Sequence, residues 1–419
     1  LFQTIGSQAE ALSGQGVGIM LPTFAALSRR TMQRIYLDNA ATTAVAPEVF
    51  DAMLPYLKEF YGNPSSIHGF GRQTRAAIEK ARRTVASLLN CTPGEIIFTS
   101  GGTEADNMVL HCAVRDLGVS RIITSPIEHH AVELTAARMG QQHDVQVHWL
   151  RLHSDGKPDL SHLEELLSDK NAGSTLVSLM HANNEIGTRI DLSAIGKLCR
   201  EHGALFHSDT VQTMAHYRFD LQELPIDFVT CAAHKFHGPK GIGFLYMRNG
   251  AGLKPLITGG AQERNMRGGT ENLAGIVGLA KALELAYSGL EEHQAHVQQL
   301  KQHMIARLKE CIPGVIFNGD ISNDSLYTVL NVRFPDDGRS EMLLYNLDIE
   351  GIACSGGSAC SSGSNAGSHV LAALYPDVKG ANIRFSFSRY TQQEELDRTV
   401  AALQRIFQLV PTTQRKAHA

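Results

Sequence analysis

Seven short apolar runs are spaced along residues 96–247: IIFTS, RIITS, VQVHWLRL, TLVSLM, ALFHSD, FVTCA and IGFLYM. Amphipathic stretches such as TEADNMVLHCAVRDL and LSAIGKLCREHG lie between several of them. That alternation predicts an α/β fold with a seven-stranded, mostly parallel sheet covered by helices on both faces. After about residue 290 the order changes. A long polar helix (EEHQAHVQQLKQHMIARLKEC) leads to a strand (YTVLNVRF), a helix (SEMLLYNLD), a glycine-serine loop bearing cysteines, a strand (IRFSFS) and a terminal helix. The expected organisation is a large domain over 46–290 and a smaller α+β domain over 291–419, completed by 32–45. Residues 32–419 are long for one domain and suit two.

Composition narrows the function. Charged residues are 19% of the chain and the net charge is −4, so nothing marks a nucleic-acid-binding surface. No apolar run approaches the roughly 20 residues of a transmembrane helix, so no membrane partner is expected. Seven cysteines without dense, regular spacing are not a disulfide framework. A reduced, cytoplasmic setting follows as the expectation. Cys354 and Cys360 have five residues between them and no accompanying histidine pair, which is not a zinc-ribbon spacing, and no metal site is expected. The chain begins with Leu1, and residues 1–31 lack clear periodicity. They are read as a flexible extension or artefact, with Met32 as the true start; a targeting segment is the alternative.

The segment CAAHKFHGPKG (231–241) places Lys235 after a buried strand, beside His234 and before a rigid turn holding Gly238, Pro239 and Gly241. A partly desolvated lysine has a lowered pKa and can form a Schiff base with an aldehyde. On this segment alone, a surface lysine in a strand-loop-strand turn explains it equally well. Upstream, ALFHSD ends a strand on Asp209, with Gln212 three residues later. A carboxylate at a strand end can partner a pyridinium nitrogen, or it can cap the following turn. Consecutive strands ending in Asp and Lys bring both to the carboxyl edge of a parallel sheet, where ligands bind. Together, in this order, they read as a pyridoxal phosphate (PLP) site.

Other residues carry two readings each. Gly102 and Thr103 open a helix after IIFTS, which suits a phosphate or a plain N-cap. His129 and its neighbour His130 follow RIITS; either is a proton carrier or a polar loop residue. Asn184 is a ligand contact or a turn asparagine. Arg384 is a bidentate carboxylate grip or a bridging salt-bridge residue. Cys360 sits among glycines and serines, which favours an exposed reactive thiol, whereas Cys354 follows the apolar GIA and reads as core.

The chain resembles the NifS/IscS-like cysteine desulfurases of the class V aminotransferase family. The resemblance runs from YLDNAATT (36–43) to RFSFSRYTQQEE (384–395), through GNPSSIHGFG, FTSGGTEADN, EHHAV, MHANNEIGT, HSDTVQ, HKFHGPKG, QERNMRGGTEN and SGGSACSSGS. It implies a PLP-dependent transferase of fold type I that acts as a homodimer on L-cysteine. Lys235 would hold pyridoxal 5'-phosphate, with Asp209 on the ring nitrogen, Gln212 and Asn184 on O3′, His129 on the ring and as acid/base, and His234 beside Lys235. Gly102 and Thr103 would bind the phosphate, with Thr270 reaching the neighbouring subunit's phosphate. Arg384, with Asn184, would bind the substrate carboxylate. Cys360, in SAC, would take the sulfur as a persulfide and leave L-alanine.

The implied acceptor is an iron–sulfur scaffold or a thiolation enzyme, with cluster ligation by Cys360 and a scaffold as a further implied contact. Selenocysteine lyase, another class V enzyme, and a non-catalytic sulfur-relay scaffold are the alternatives. Two departures stand out. The family's serine three residues before the lysine is Ala232 here, and the tail QLVPTTQRKAHA does not resemble a scaffold-docking terminus.

Overall fold

The apolar runs between 96 and 247 assemble into one seven-stranded sheet. The computed structural model describes residues 34–408 apart from 170, 172, 337, 339, 341, 357–366, 378 and 379. Segment 1–31 and Cys360 therefore lie outside the described residues. The chain runs β1 (Ile35–Tyr36), α1 (Pro47–Lys58), α2 (Gly69–Leu88), β2 (Ile96–Thr99), α3 (Gly102–Leu117), β3 (Val119–Thr124), α4 (His130–Gln142), β4 (Gln146–Trp149) and α5 (Leu160–Ser168). It continues with β5 (Ser174–Ser178), α6 (Leu192–Glu201), β6 (Leu205–Asp209), β7 (Phe228–Ala232), β8 (Gly243–Met247), α7 (Leu273–Ser288) and α8 (Leu290–Cys311). It ends with β9 (Ile316–Asn318), β10 (Val329–Arg333), α9 (Leu343–Ile349), β11 (Ile352–Ala353), α10 (His369–Leu374), β12 (Asn382–Ser386) and α11 (Gln393–Ile406).

The large sheet has the order β2-β8-β7-β6-β5-β3-β4. Every ladder from β4 to β7 is parallel, and only β8 runs against its two neighbours. The mostly parallel sheet expected from the alternation is present. Its inner strands lie under helices on both faces, which is why they read as continuous apolar runs. All five residues of β7 are buried. Edge strand β4 is shorter than VQVHWLRL predicted, and none of its residues is fully buried. Helix α7 packs against α1 and α2 and buries Leu273, Ile276, Leu279 and Leu283, so it is apolar nearly all round.

A second core forms around an antiparallel sheet, β12-β10-β9, and the parallel pair β1-β11. Met304 and Leu308 of α8, Val332 of β10, Phe385 of β12 and Leu403 of α11 meet there. Residues 37–46 link this core to the loop after β7. Leu37 N donates to Ala353 O at 2.8 Å, Thr43 N to His234 O at 2.9 Å and Ala46 N to His237 O at 3.0 Å. Among the described residues no single helix is long and apolar enough to cross a membrane.

Candidate active site

Five parallel strands, β2, β3, β5, β6 and β7, deliver their loops to one edge of the sheet. Strand β7 ends at Ala232 and turns at once through a 3-10 turn, Ala233–Lys235. The turn requires Gly238, because a Cβ there would sit 2.7 Å from Ala233 Cβ and 2.9 Å from its carbonyl oxygen. Lys235 Nζ donates to Ala40 O at 2.6 Å and Ala41 O at 3.0 Å. Gln212 Nε2 donates to the same Ala40 carbonyl at 3.1 Å. His234 is held by Thr42 Oγ1, 3.2 Å from its Nδ1, and burial lowers its pKa to about 4. The segment Ala40–Thr42 thus ties together three of the residues singled out in the sequence.

Asp209 ends β6 beside them, 6% exposed, with Oδ1 accepting from Val211 N at 2.8 Å. Burial, and then the neighbouring Asp106, push its pKa up to about 7. A carboxylate so placed favours a cation as its partner, because a positive charge offsets the desolvation of its own. Asp106, on α3, is also buried and raised to about 7 by burial. Its Oδ1 lies 3.4 Å from His207 Nε2 and has no hydrogen-bond partner among the described residues.

At the start of α3, Gly101 provides no side-chain cap. The first-turn N–H groups are therefore left for an anion. Gly102 is required there, since a Cβ would meet Val211 Cγ2 at 2.7 Å. Ala232 Cβ would be 3.9 Å from that Cβ, so Ala232 faces this helix start. An uncapped helix end and a buried carboxylate on one edge fit a ligand that is anionic at one end and cationic at the other.

His129 caps α4, with Nδ1 accepting from Ala131 N at 3.1 Å. That bond fixes Nδ1 as the unprotonated nitrogen and leaves the proton on Nε2. Burial, then Lys235, lower its pKa to about 4, so the ring is neutral at pH 7. Glu128, next to it, is buried and accepts from Met180 N on both oxygens at 3.0 Å; burial keeps its pKa well above the usual range.

Arg384 is 1% exposed. Its Nη1 donates to Asn184 O at 3.0 Å, and its Nη2 to Asp38 Oδ1 at 2.9 Å and Ser355 Oγ at 3.2 Å. Arg384 thus forms a salt bridge with Asp38 inside the expected 32–45 and 291–419 domain, and it reaches the expected large domain through the Asn184 carbonyl. A carboxylate ligand would compete with Asp38 for Nη2, while Nε lacks a partner among the described residues. Thr270 is exposed, on the segment between β8 and α7. No group of three or more His, Cys, Asp or Glu among the described residues could hold a metal ion.

The chain on either side of residues 357–366 is fastened to this edge. Ser355 Oγ donates to Asp38 Oδ1 at 2.7 Å, Ser368 Oγ donates to Glu185 Oε2, and His369 Nε2 lies 2.9 Å from Glu128 O. Cys354 packs against the second core, and burial raises its thiol pKa to about 12.

Sequence reasoning missed Asp38, Asp106, Glu128 and Glu185. The acids within TEADN and SPIEHH read as ordinary helix and loop charges. Only their apolar neighbours hint at burial.

On the PLP reading that the resemblance implies, Asp209→Asn is expected to leave the fold intact and to lower turnover by on the order of a hundredfold or more, because a neutral amide cannot hold a proton on a ring nitrogen. Near-normal alanine production would remove Asp209 from the chemistry. The ligand-free protein supplies a second readout. Asp209's folded pKa lies above its unfolded value, so its stability contribution is full in acid and is lost as pH rises to about 7. The asparagine variant should lose that part of the pH dependence of melting.

The Aminotransferase class-V family profile matches residues 35–399. Cysteine desulfurase IscS of Dictyoglomus turgidum is 42% identical over 384 residues, which is 91% of this chain and 96% of that protein. A cysteine desulfurase of Nostoc sp. is 42% identical over 379 residues, 90% of this chain and 93% of the relative. A solved structure described as a NifS-like protein superposes with a TM-score of 0.82 at 36% identity, covering 90% of this chain and 100% of that one. With this strand order, this edge of residues and likeness across nearly its whole described length, the chain belongs to the class V aminotransferase family, in its NifS/IscS-like cysteine desulfurase group.

Proposed function

We propose that this chain is a PLP-dependent cysteine desulfurase that converts L-cysteine to L-alanine and carries the sulfur as a persulfide on Cys360. The observation that carries the reading is the meeting of Lys235, Asp209 and the uncapped start of α3 on one sheet edge. PLP, when bound, supplies an electron sink for negative charge at the substrate Cα. Gly102 and Thr103 would bind its phosphate, Asp209 would hold a proton on the ring nitrogen, and Asn184 and Gln212 would orient the ring. His129, whose imidazole is neutral, would pack beside the ring and serve the sulfur step as acid/base.

Lys235 would hold the cofactor through Nζ, in place of its bonds to the Ala40 and Ala41 carbonyls. The same Nζ would carry the substrate's Cα proton. Arg384 and Asn184 hold the substrate carboxylate, with Asp38 yielding Nη2. The Cys360 thiolate would form an S–S bond as the substrate's C–S bond breaks; the C–S electron pair stays with Cβ, which takes up a proton, the Cα proton is returned, and the skeleton leaves as alanine. A purified protein with the visible absorbance band of a lysine-bound PLP and with cysteine-dependent alanine and persulfide is the expected result. A protein lacking the band after incubation with PLP would sink the reading.

The working unit is a homodimer, with a large PLP-binding domain over 46–290 and a small domain over 32–45 and 291–419. Phe50, Leu57, Tyr61, Ile67 and Phe70 are all more than half exposed. A second copy of the chain covers this apolar face. The sulfur acceptor is an iron–sulfur scaffold or a thiolation enzyme in the cytoplasm.

Ala232→Ser is expected to tighten PLP binding by about tenfold, the scale of one hydrogen bond to a charged group. Ala232 faces the helix start, and the hydroxyl of Thr210, just after β6, spends its proton on Thr230 O at 2.8 Å. Equal or weaker affinity in reconstitution of the serine variant would show that the missing bond is already supplied.

A further inference from the structure

Gln262–Asn265 form a short turn in which three successive residues other than glycine have left-handed backbone: Glu263 at φ 45°, Arg264 at 56° and Asn265 at 65°. Asparagine tolerates that region; glutamate and arginine are disfavoured there. Such a run persists only where its surroundings over-determine it. Besides a part-exposed bond from Arg264 Nη2 to Glu79 Oε2 on α2 at 2.8 Å, two ties do so here.

The first tie is buried. Arg82, on α2, grips Glu263 with a fork, Nη2 to Oε1 at 2.8 Å and Nη1 to Oε2 at 2.9 Å. Glu263 Oε2 also accepts from Phe98 N at 2.9 Å, and Arg82 Nη1 donates to Ile96 O at 2.6 Å. The pair is thereby fixed to strand β2. The second tie is Arg267, whose Nε and Nη2 donate to Glu104 Oε1 and Oε2 at 2.9 and 3.2 Å. Glu104 lies in the first turn of α3, beside the helix start that binds phosphate in the reading above. Gly268 then crosses Gly259 so closely that a Cβ would come within 2.8 Å of Gly259 N. Beyond these ties, Gly269 and Thr270 face solvent.

A buried ion pair is weak evidence for stability, since well-packed apolar side chains often serve as well. Its use lies in the geometry it imposes. We propose that Arg82 and Glu263 are positioning residues: they impose the left-handed turn that presents Thr270 as a rigid arm to the cofactor phosphate of the second subunit, while Arg267 and Glu104 bolt that arm to the phosphate-binding end of its own subunit. The inference rests on the PLP-dependent dimer proposed above. It makes the arm of one site and the cradle of the other a single mechanical piece.

The test is PLP dissociation from the purified holoenzyme, followed by loss of its absorbance. Glu263→Gln, Thr270→Ala and their double variant are compared with the parent. Arg267→Gln is the second route, because it cuts the outer tie and leaves the buried pair intact. Each single variant should release PLP about tenfold more readily, the scale of one lost bond to a charged group. The double variant should be no worse than Thr270→Ala alone, since both act through one contact. A merely structural role predicts losses that multiply, and multiplied losses would overturn the proposal. Parental retention in both Glu263→Gln and Arg267→Gln would overturn it too. A parent that takes up no PLP would overturn the functional reading along with it, whereas normal uptake with unaltered variants sinks the clamp alone.

Discussion

Lys235→Ala is expected to remove the absorbance of the bound cofactor and to lower turnover by on the order of a thousandfold or more, since in the proposed function one residue supplies both attachment and proton transfer. Lys235 is half-buried at the end of a 3-10 turn that Gly238 keeps tight, and its Nζ is aimed at two backbone carbonyls. Lys240, five residues on and exposed, is the internal control, and Lys240→Ala should leave the band and the turnover unchanged. Borohydride reduction followed by peptide mapping decides the point. A reducible linkage that survives in Lys235→Ala would move the attachment to another lysine.

Cys360→Ser should still bind PLP and L-cysteine but form no persulfide, and Cys354→Ser should keep most of its turnover. The structure supplies the contrast through Cys354. Its thiol is pushed up to about 12, first by burial and then by Asp38. It is therefore almost wholly protonated at neutral pH, and a thiol is a far weaker nucleophile than a thiolate. A serine at 360 cannot replace the sulfur, because its alkoxide is not populated near pH 7. Intact-protein mass spectrometry after exposure to L-cysteine reads the outcome directly. A gain of about 32 Da, the mass of one sulfur carried as a persulfide, retained in Cys360→Ser and lost in Cys354→Ser would reverse the assignment.

The strands, their order of appearance, the strand that ends in Asp209 and the turn that ends in Lys235 were legible because buried parallel strands leave unbroken apolar runs. Glycine-rich turns mark where those runs stop. Why Gly102 and Gly238 must be glycine emerged only from the structure, where a Cβ would meet Val211 Cγ2 in one case and Ala233 of the same turn in the other. Arg384 was legible as a candidate but not as a partner. Its pairing with Asp38 spans 346 residues of sequence, and no local pattern announces it. The buried acids were harder still. Asp106 and Glu128 look like surface charges in a string of letters, and it is the packing of α3 and of the loop before α4 that takes them out of water.

By itself, the sequence determined the sheet, the residues at its carboxyl edge and the family to which they point. Local periodicity and turn chemistry are encoded over a few residues, and a parallel sheet then carries every strand end to the same side. Tertiary structure alone decided which charges meet there. It set Asp106 behind Asp209, Asp38 against Arg384, and Arg82 under a turn that Glu263 and Arg264 would not adopt unaided. The physical reason is that desolvation and ion pairing depend on distance in space, and the fold brings together residues that the chain keeps far apart.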